Sequence, residues 1–270
     1  MSKIIAVANQ KGGVGKTTTA LNLAAALAAS YYETLLIDFD PQGNSTSGFG
    51  IRKNNLKASI YNALIDNVPL EEIVIPTGVE LCSIAPSGLD LVGAEVELVN
   101  VPERASKLKE ALAKYKKVYD FIIIDCPPAL GLLTENAFTA ANSIIIPIQC
   151  EYYALEGLGQ LLKFVEMIKM TFNPHLAIEG VLLTMYDSRV NLSSQVQNQI
   201  KKYFGEKVYK TIIPRTIRLA EAPGFGQPII TYDKRSTGAE AYINLSKEVI
   251  AKEKEHRRLN LPELAEEKHT

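Results

Sequence analysis

Between the apolar run Ile4-Ile5-Ala6-Val7-Ala8 and the alanine-rich run Ala20-Leu21-Asn22-Leu23-Ala24-Ala25-Ala26-Leu27, the chain reads Asn9-Gln10-Lys11-Gly12-Gly13-Val14-Gly15-Lys16-Thr17-Thr18-Thr19. A strand, a glycine-rich turn and a helix in that order are the setting of a phosphate-binding loop. Gly12, Gly13 and Gly15 let backbone N–H groups face an anion with no Cβ in the way. A helix opening at Lys16 adds the positive end of its dipole at the same point. Lys16 is then placed to reach the β- and γ-phosphates of a nucleotide, and the Thr17 hydroxyl to ligate Mg²⁺. A plain strand-to-helix turn needs none of these groups, so the stretch from Lys11 to Thr18 is read as a nucleotide-binding loop.

Its spacing departs from the common pattern G-x-x-x-x-G-K-[ST] in one place. The first glycine would fall at position 10, which is Gln10, and a second lysine, Lys11, precedes the glycines. Lys16 already serves the phosphates, so the cradle needs no further cation. Lys11 suits either of two roles. It can reach outward to the γ-phosphate of a nucleotide on a second subunit, as an arginine finger does, or it can stand solvated at the surface. The residues alone leave that choice open.

Lys11-Gly12-Gly13-Val14-Gly15-Lys16-Thr17-Thr18 resembles the deviant Walker A motif of the ParA/MinD superfamily. Later segments resemble its ParA/Soj branch, the chromosome and plasmid partition ATPases. The resemblance implies that Lys11 is the signature lysine that crosses an ATP-sandwich homodimer. It implies ATP and Mg²⁺ as cofactors, with Lys11, Lys16 and Asp40 serving catalysis. It further implies non-specific double-stranded DNA and a ParB-like centromere-binding protein as partners, in a cytoplasmic, nucleoid-associated protein.

Downstream, Thr34-Leu35-Leu36-Ile37-Asp38 reads as a buried strand ending in Asp38-Phe39-Asp40-Pro41-Gln42-Gly43-Asn44. Carboxylates at the carboxyl end of a parallel strand stand beside the phosphate loop. At spacing i, i+2 both can face one crevice, one towards Mg²⁺ and its waters and the other towards the attacking water. A turn closed by Pro41 and Gly43 is the plainer alternative, and the neighbouring phosphate loop favours the chemical one. The segment is similar to the family's switch I motif, which implies that Asp40 is needed for hydrolysis and that Asp38 belongs to the Mg²⁺ water network. Tyr119-Asp120-Phe121-Ile122-Ile123-Ile124-Asp125 gives a second strand ending in an acid, the Walker B pattern, with Asp125 holding Mg²⁺ through water. The following Cys126-Pro127-Pro128 resembles the family's switch II segment, and Cys126 reads as buried packing.

Between and beyond these, Ser45–Gly50 reads as a loop, Ile60–Ile65 and Leu89–Val99 as helices, and Glu80–Ala85 as a strand. A charged helix is expected from Arg104 to about Lys117. Strands follow at Ser143–Gln149, Ala177–Thr184 and Val208–Ile213, with helices to about Met170, from Asn191 to about Tyr203, and from Thr237 to Arg258. Tyr152 and Tyr153 read as packing at a helix start. On the last helix, Lys247, Lys252, Lys254, Arg257 and Arg258 are expected outward, and the alternating signs of Lys252-Glu253-Lys254-Glu255 suggest solvation.

Met185-Tyr186-Asp187-Ser188-Arg189 and Pro214-Arg215-Thr216-Ile217-Arg218 resemble ParA/Soj segments. The resemblance implies that Arg189 and Arg218 bind DNA without sequence preference, and that Pro214 and Arg215 lie against the adenine. Loop arginines can neutralise phosphates and release counterions, although each alone reads more readily as one end of a surface ion pair. Lys247 is a further candidate DNA contact. The formal net charge is −1, yet residues 201–258 hold 13 Lys+Arg against 7 Asp+Glu. Such a basic quarter can form a DNA-facing surface or a set of solvated helix faces.

Alternating strands and helices predict an α/β fold, a doubly wound and mostly parallel sheet. Residues 1–258 are expected to form a single P-loop ATPase domain, and 259–270 a mobile tail. No signal peptide or membrane-length apolar run is present, so no membrane partner is expected. Cys82, Cys126 and Cys150 and the three histidines are too scattered for a metal cluster. This weakens an iron–sulfur carrier of the same superfamily as an alternative. A MinD-like membrane ATPase is weakened by the acidic, proline-containing C-terminal residues. A biotin-synthesis-type ligase is weakened by the resemblance of the arginine loops.

Overall fold

The computed structural model describes residues 2–151 and 157–259. Its frame is an eight-stranded sheet made of β1 (Lys3–Val7), β2 (Thr34–Asp38), β3 (Ile75–Pro76), β4 (Cys82–Ala85), β5 (Phe121–Asp125), β6 (Ser143–Gln149), β7 (Ala177–Tyr186) and β8 (Val208–Pro214). Across the sheet the order is β3-β4-β2-β5-β1-β6-β7-β8. Among the described residues only the β3–β4 edge pair is antiparallel. The expected mostly parallel α/β sheet is present, with helices on both faces.

The central strands explain why. In β5, Phe-Ile-Ile-Ile-Asp, every residue is buried. Successive side chains point to opposite faces, so one apolar run feeds two cores. Ile122 and Ile124 join one core, Phe121 and Ile123 the other; Leu35 and Ile37 of β2 part from Leu36 in the same way. Each such side chain contributes about 1.5–3 kcal/mol on burial, which holds β5 and β2 in register. That register sets Asp38 directly beside Asp125. The helix Lys16–Ala29 lies against the sheet on the second core, with Ala20, Ala24, Ala25, Ala26 and Ala28 buried. Its small side chains allow the last helix, Thr237–Leu259, to approach it, and Thr19 Oγ1 lies 3.3 Å from Tyr242 Oη.

Several expectations change. Ser45–Gly50 is not all loop, because Asn44–Gly48 is helical. The expected helix from Arg104 starts as a 3-10 turn, Arg104–Ser106, and is α-helical only over Lys107–Lys114. A helix at Leu132–Ala140 is additional; its buried Thr134, Asn136 and Thr139 blur the apolar period. Lys252 and Glu253 do not face solvent. Lys252 Nζ donates to the Glu179 carbonyl at 2.9 Å and lies 4.2 Å from the centre of the Tyr209 ring. Glu253 is buried, 3.6 Å from Lys3 and 2.7 Å from Arg257. Lys3 of β1 and Glu179 of β7 lie 2.8 Å apart and draw this turn of the helix onto the sheet. The last helix is described as far as Leu259, and residues 260–270 of the expected tail, like Tyr152 and Tyr153, lie outside the described residues.

Candidate nucleotide site

The phosphate loop leaves β1 and turns through Gly13 and Gly15, whose φ angles of 73° and 87° suit glycine. No acid occupies the first turn of the helix that follows, so its positive end is free for an anion. Thr184 at the end of β7 donates its hydroxyl to the Val14 carbonyl at 2.8 Å and pins the loop. Lys16 is 6% exposed, and its Nζ donates to the Lys11 carbonyl at 3.0 Å. Burial lowers its pKa, opposed by the charges of Asp125 and Asp40. Lys11 differs. Its backbone is held by Asn9 Oδ1 at 3.0 Å, but among the described residues its ammonium makes no ion pair. It lines a shallow cavity with Gln10, Pro128, Leu130 and Gln160.

The strand ends bring three acids to this loop. Asp38 and Asp125 are fully buried and Asp40 is 7% exposed. Asp38 Oδ2 accepts from the Thr46 N–H and hydroxyl, each at 2.7 Å. Asp125 Oδ2 accepts from the Ser45 hydroxyl at 2.7 Å, and Asp40 Oδ1 from the Gln42 N–H at 2.9 Å. Burial pushes the Asp38 carboxyl up to about 6. Burial first, then the charge of Asp38, pushes Asp125 up to about 8. Thr17 is near enough to lower the Asp125 pKa, yet Asp125 Oδ1 is buried with no hydrogen bond of good geometry.

An orphaned carboxylate oxygen beside a threonine hydroxyl, within a cluster of acids, fits a hydrated divalent cation. Among the described residues no three acid, histidine or cysteine side chains can hold a metal by themselves. Ser45 and Thr46, which fix the two buried acids, were not foreseen as site residues. The available signal was a serine–threonine pair directly after an acidic turn.

The AAA domain family matches residues 2–178. The sporulation initiation inhibitor protein Soj of Bacillus subtilis is 56% identical over 251 residues, spanning 93% of this chain and 99% of that protein. The chain belongs to the Soj/ParA family of chromosome-partitioning ATPases. The chromosome partitioning protein ParA of Myxococcus xanthus is 51% identical over 253 residues, 94% of this chain and 89% of that protein. The solved cobyrinic acid a,c-diamide synthase of Mycobacterium smegmatis, with bound ATP analog and magnesium, superposes with a TM-score of 0.84 at 36% identity, covering 95% of this chain and 98% of that one.

On the other side of the loop, a cleft of about 340 Å³ is lined by Thr18, Met185, Pro214, Arg215, Thr216 and Tyr242, among others. The Arg215 N–H donates to the Tyr186 carbonyl at 2.9 Å, so the ends of β7 and β8 form one wall. The structure thus places Pro214 and Arg215 in one cleft with Gly15 and Thr18 of the phosphate loop.

The arginines are arranged differently. Arg189 is exposed and forks onto Asp187, with Nη2–Oδ2 at 2.7 Å and Nε–Oδ1 at 2.9 Å; the guanidinium holds the Asp187 carboxyl down to about 2. Arg218 lies 3.3 Å from Glu221 and 3.6 Å from Asp233. Lys247 is exposed on the last helix. These three are not brought into the nucleotide site. They form an outer, solvated set in which both arginines already have carboxylate partners.

Proposed function

We propose that this Soj/ParA-family ATPase works as an ATP-sandwich homodimer, formed from residues 1–258 as one ATPase unit. Lys16 and the backbone from Lys11 to Thr18 cradle the phosphates, and Pro214 and Arg215 bear on the adenine. Thr17 would ligate Mg²⁺ directly, and Asp38, Asp40 and Asp125 would hold it through water. When bound, Mg²⁺ neutralises charge on the β- and γ-phosphates. Asp40 orients the attacking water, and Lys11 crosses to the neighbour's γ-phosphate and stabilises charge that develops there. In the ATP state the joined subunits attach to non-specific DNA through Arg189, Arg218 and Lys247, which makes attachment bivalent. Hydrolysis, stimulated by a ParB-like partner, separates the subunits and releases the DNA in a cytoplasmic, nucleoid-associated cycle. Among the described residues no helix is long and apolar enough to cross a membrane.

The contrast between two lysines carries this reading. Lys16 is buried and bonded within its own site, while the Lys11 ammonium stands at the rim, unpaired among the described residues. A cation that serves only its own loop has no reason to stand there. Sedimentation velocity of wild type and Lys11→Ala, without nucleotide, with ADP and with ATP, tests the role. A dimer that appears only with ATP, and only in wild type, is expected. If Lys11→Ala dimerises and hydrolyses ATP as wild type does, the role across the interface is wrong.

A further inference from the structure

The turn that carries Asp40 is held from outside by a lysine that the nucleotide site itself does not use. From Asp40 to Gly43 the chain reverses. The Gly43 N–H donates to the Asp40 carbonyl at 2.8 Å, and the Gln42 N–H to Asp40 Oδ1 at 2.9 Å. Both bonds lie within the turn, so they shape it without tying it to the rest of the protein. Its far end continues into the helix Asn44–Gly48, where Thr46 bonds to Asp38 and accepts from the Ser87 N–H at 3.0 Å. Its near end is held by Lys53, whose Nζ donates to the Gln42 carbonyl at 2.6 Å.

Gly43 shows how closely the lysine lies. Its φ is 59°, and a Cβ there would stand 2.7 Å from Lys53 Cδ and 3.0 Å from the Ser87 carbonyl oxygen. The stem of Lys53 therefore runs along the glycine, and the ammonium reaches past it to the carbonyl. Lys53 is half-buried, whereas Arg52, Asn54 and Asn55 beside it are exposed. Its choice of partner is specific. Asp90 lines the same cavity but accepts from the Ser59 hydroxyl at 2.9 Å and the Leu91 N–H at 3.1 Å. Among the described residues Lys53 makes no ion pair. A lysine that served only the charge of the surface would have no reason to lie across the turn.

We infer that Lys53 is a positioning residue for ATP hydrolysis, clasping the Gln42–Gly43 peptide so that Asp40 stays aimed at the attacking water. The inference rests on the role proposed for Asp40. A misplacement of about 1 Å in a catalytic group is enough to slow a reaction, even when its cause lies away from the chemistry. The groups that hold the phosphates, Lys16 and the loop backbone, do not touch Lys53. Loss of the clasp should therefore slow turnover and leave ATP binding as it is.

The test compares wild type, Lys53→Met, Lys53→Ala and Asp40→Ala as full chains. Lys53→Met keeps an apolar stem and removes the ammonium; Lys53→Ala removes both. For each, kcat is measured by phosphate release, ATP affinity by calorimetry, and hydrogen exchange of the Gln42 and Gly43 amides without nucleotide. Lys53→Met should lower kcat about threefold to tenfold, the scale of one hydrogen bond, with the ATP affinity of wild type and faster exchange at both amides. Lys53→Ala should be at least as slow. Wild-type turnover in Lys53→Met, a loss of ATP affinity as large as the loss of turnover, or unchanged exchange in the turn overturns the inference while Asp40→Ala stays impaired. Normal turnover by Asp40→Ala removes the role of Asp40 and this inference with it.

Discussion

The phosphate end of the site and the basic outer surface solve opposite problems. At the phosphate end, Asp38, Asp125 and Lys16 are buried and held by Thr46, Ser45 and the Lys11 carbonyl. These groups have already lost their solvation and most of their freedom, so a nucleotide meets them in place. On the outer surface Arg189 and Arg218 are exposed and paired with Asp187, Glu221 and Asp233. Exposed pairs of this kind contribute about 0–1 kcal/mol, so a phosphate backbone can displace the carboxylates. The first region is fixed before its ligand arrives. The second is open to competition, which the proposed reversible attachment to DNA would require.

Breaking the fixed region should have the larger effects. Asp40→Ala should lower ATP turnover roughly 100-fold or more, the scale of a lost water-positioning group, while ATP binding and the ATP dimer remain; a phosphate-release assay with normal turnover would remove Asp40 from its role. Lys16→Ala should weaken ATP binding by about 1.5–3 kcal/mol, as for hydrogen bonds to charged groups. Calorimetry showing unchanged affinity would overturn the assignment of the loop. Thr46→Val keeps the shape but strips the hydroxyl bond from buried Asp38, and should cost about 1–3 kcal/mol of stability in urea. A neutral result would mean that water replaces the threonine.

A smaller effect should appear with pH. In the nucleotide- and metal-free protein the Asp125 pKa is raised from 3.8 to about 8. The folded state then holds a proton that the unfolded state has released, so stability falls as pH rises from about 4 to about 8. Between pH 7 and 8 the loss should be on the order of 1 kcal/mol. Asp125→Asn should flatten that slope, and a wild-type melting temperature independent of pH would contradict it.

The two regions were also unequally legible in the chain. The phosphate loop is a local signal, since glycines, lysine and threonine act within one turn. Asp38 and Asp125 were visible because apolar runs ending in an acid mark strand ends. Ser45 was not, because its bond to Asp125 depends on β2 pairing with β5, two strands far apart in sequence; Thr46 reaches Asp38 from a helical turn in a stretch that reads as loop. Lys252 and Glu253 were misplaced for the same reason: what turns them inward is Glu179 on β7 and Lys3 on β1. The carboxylate partners of Arg189 and Arg218 lie within a few residues or on the neighbouring turn, but nothing in their spacing separates an ion pair from a DNA contact.

Binding to non-specific duplex DNA, measured without nucleotide, with ADP and with ATP, for wild type and Arg218→Ala, tests the contrast between a fixed site and a contestable surface. Binding should appear only with ATP and weaken with salt. Arg218→Ala should reduce the salt slope by about 1 for each DNA phosphate that is no longer neutralised, while its ATP affinity stays that of wild type. Equal DNA binding in all nucleotide states, or an Arg218→Ala variant indistinguishable from wild type on DNA, would contradict the account.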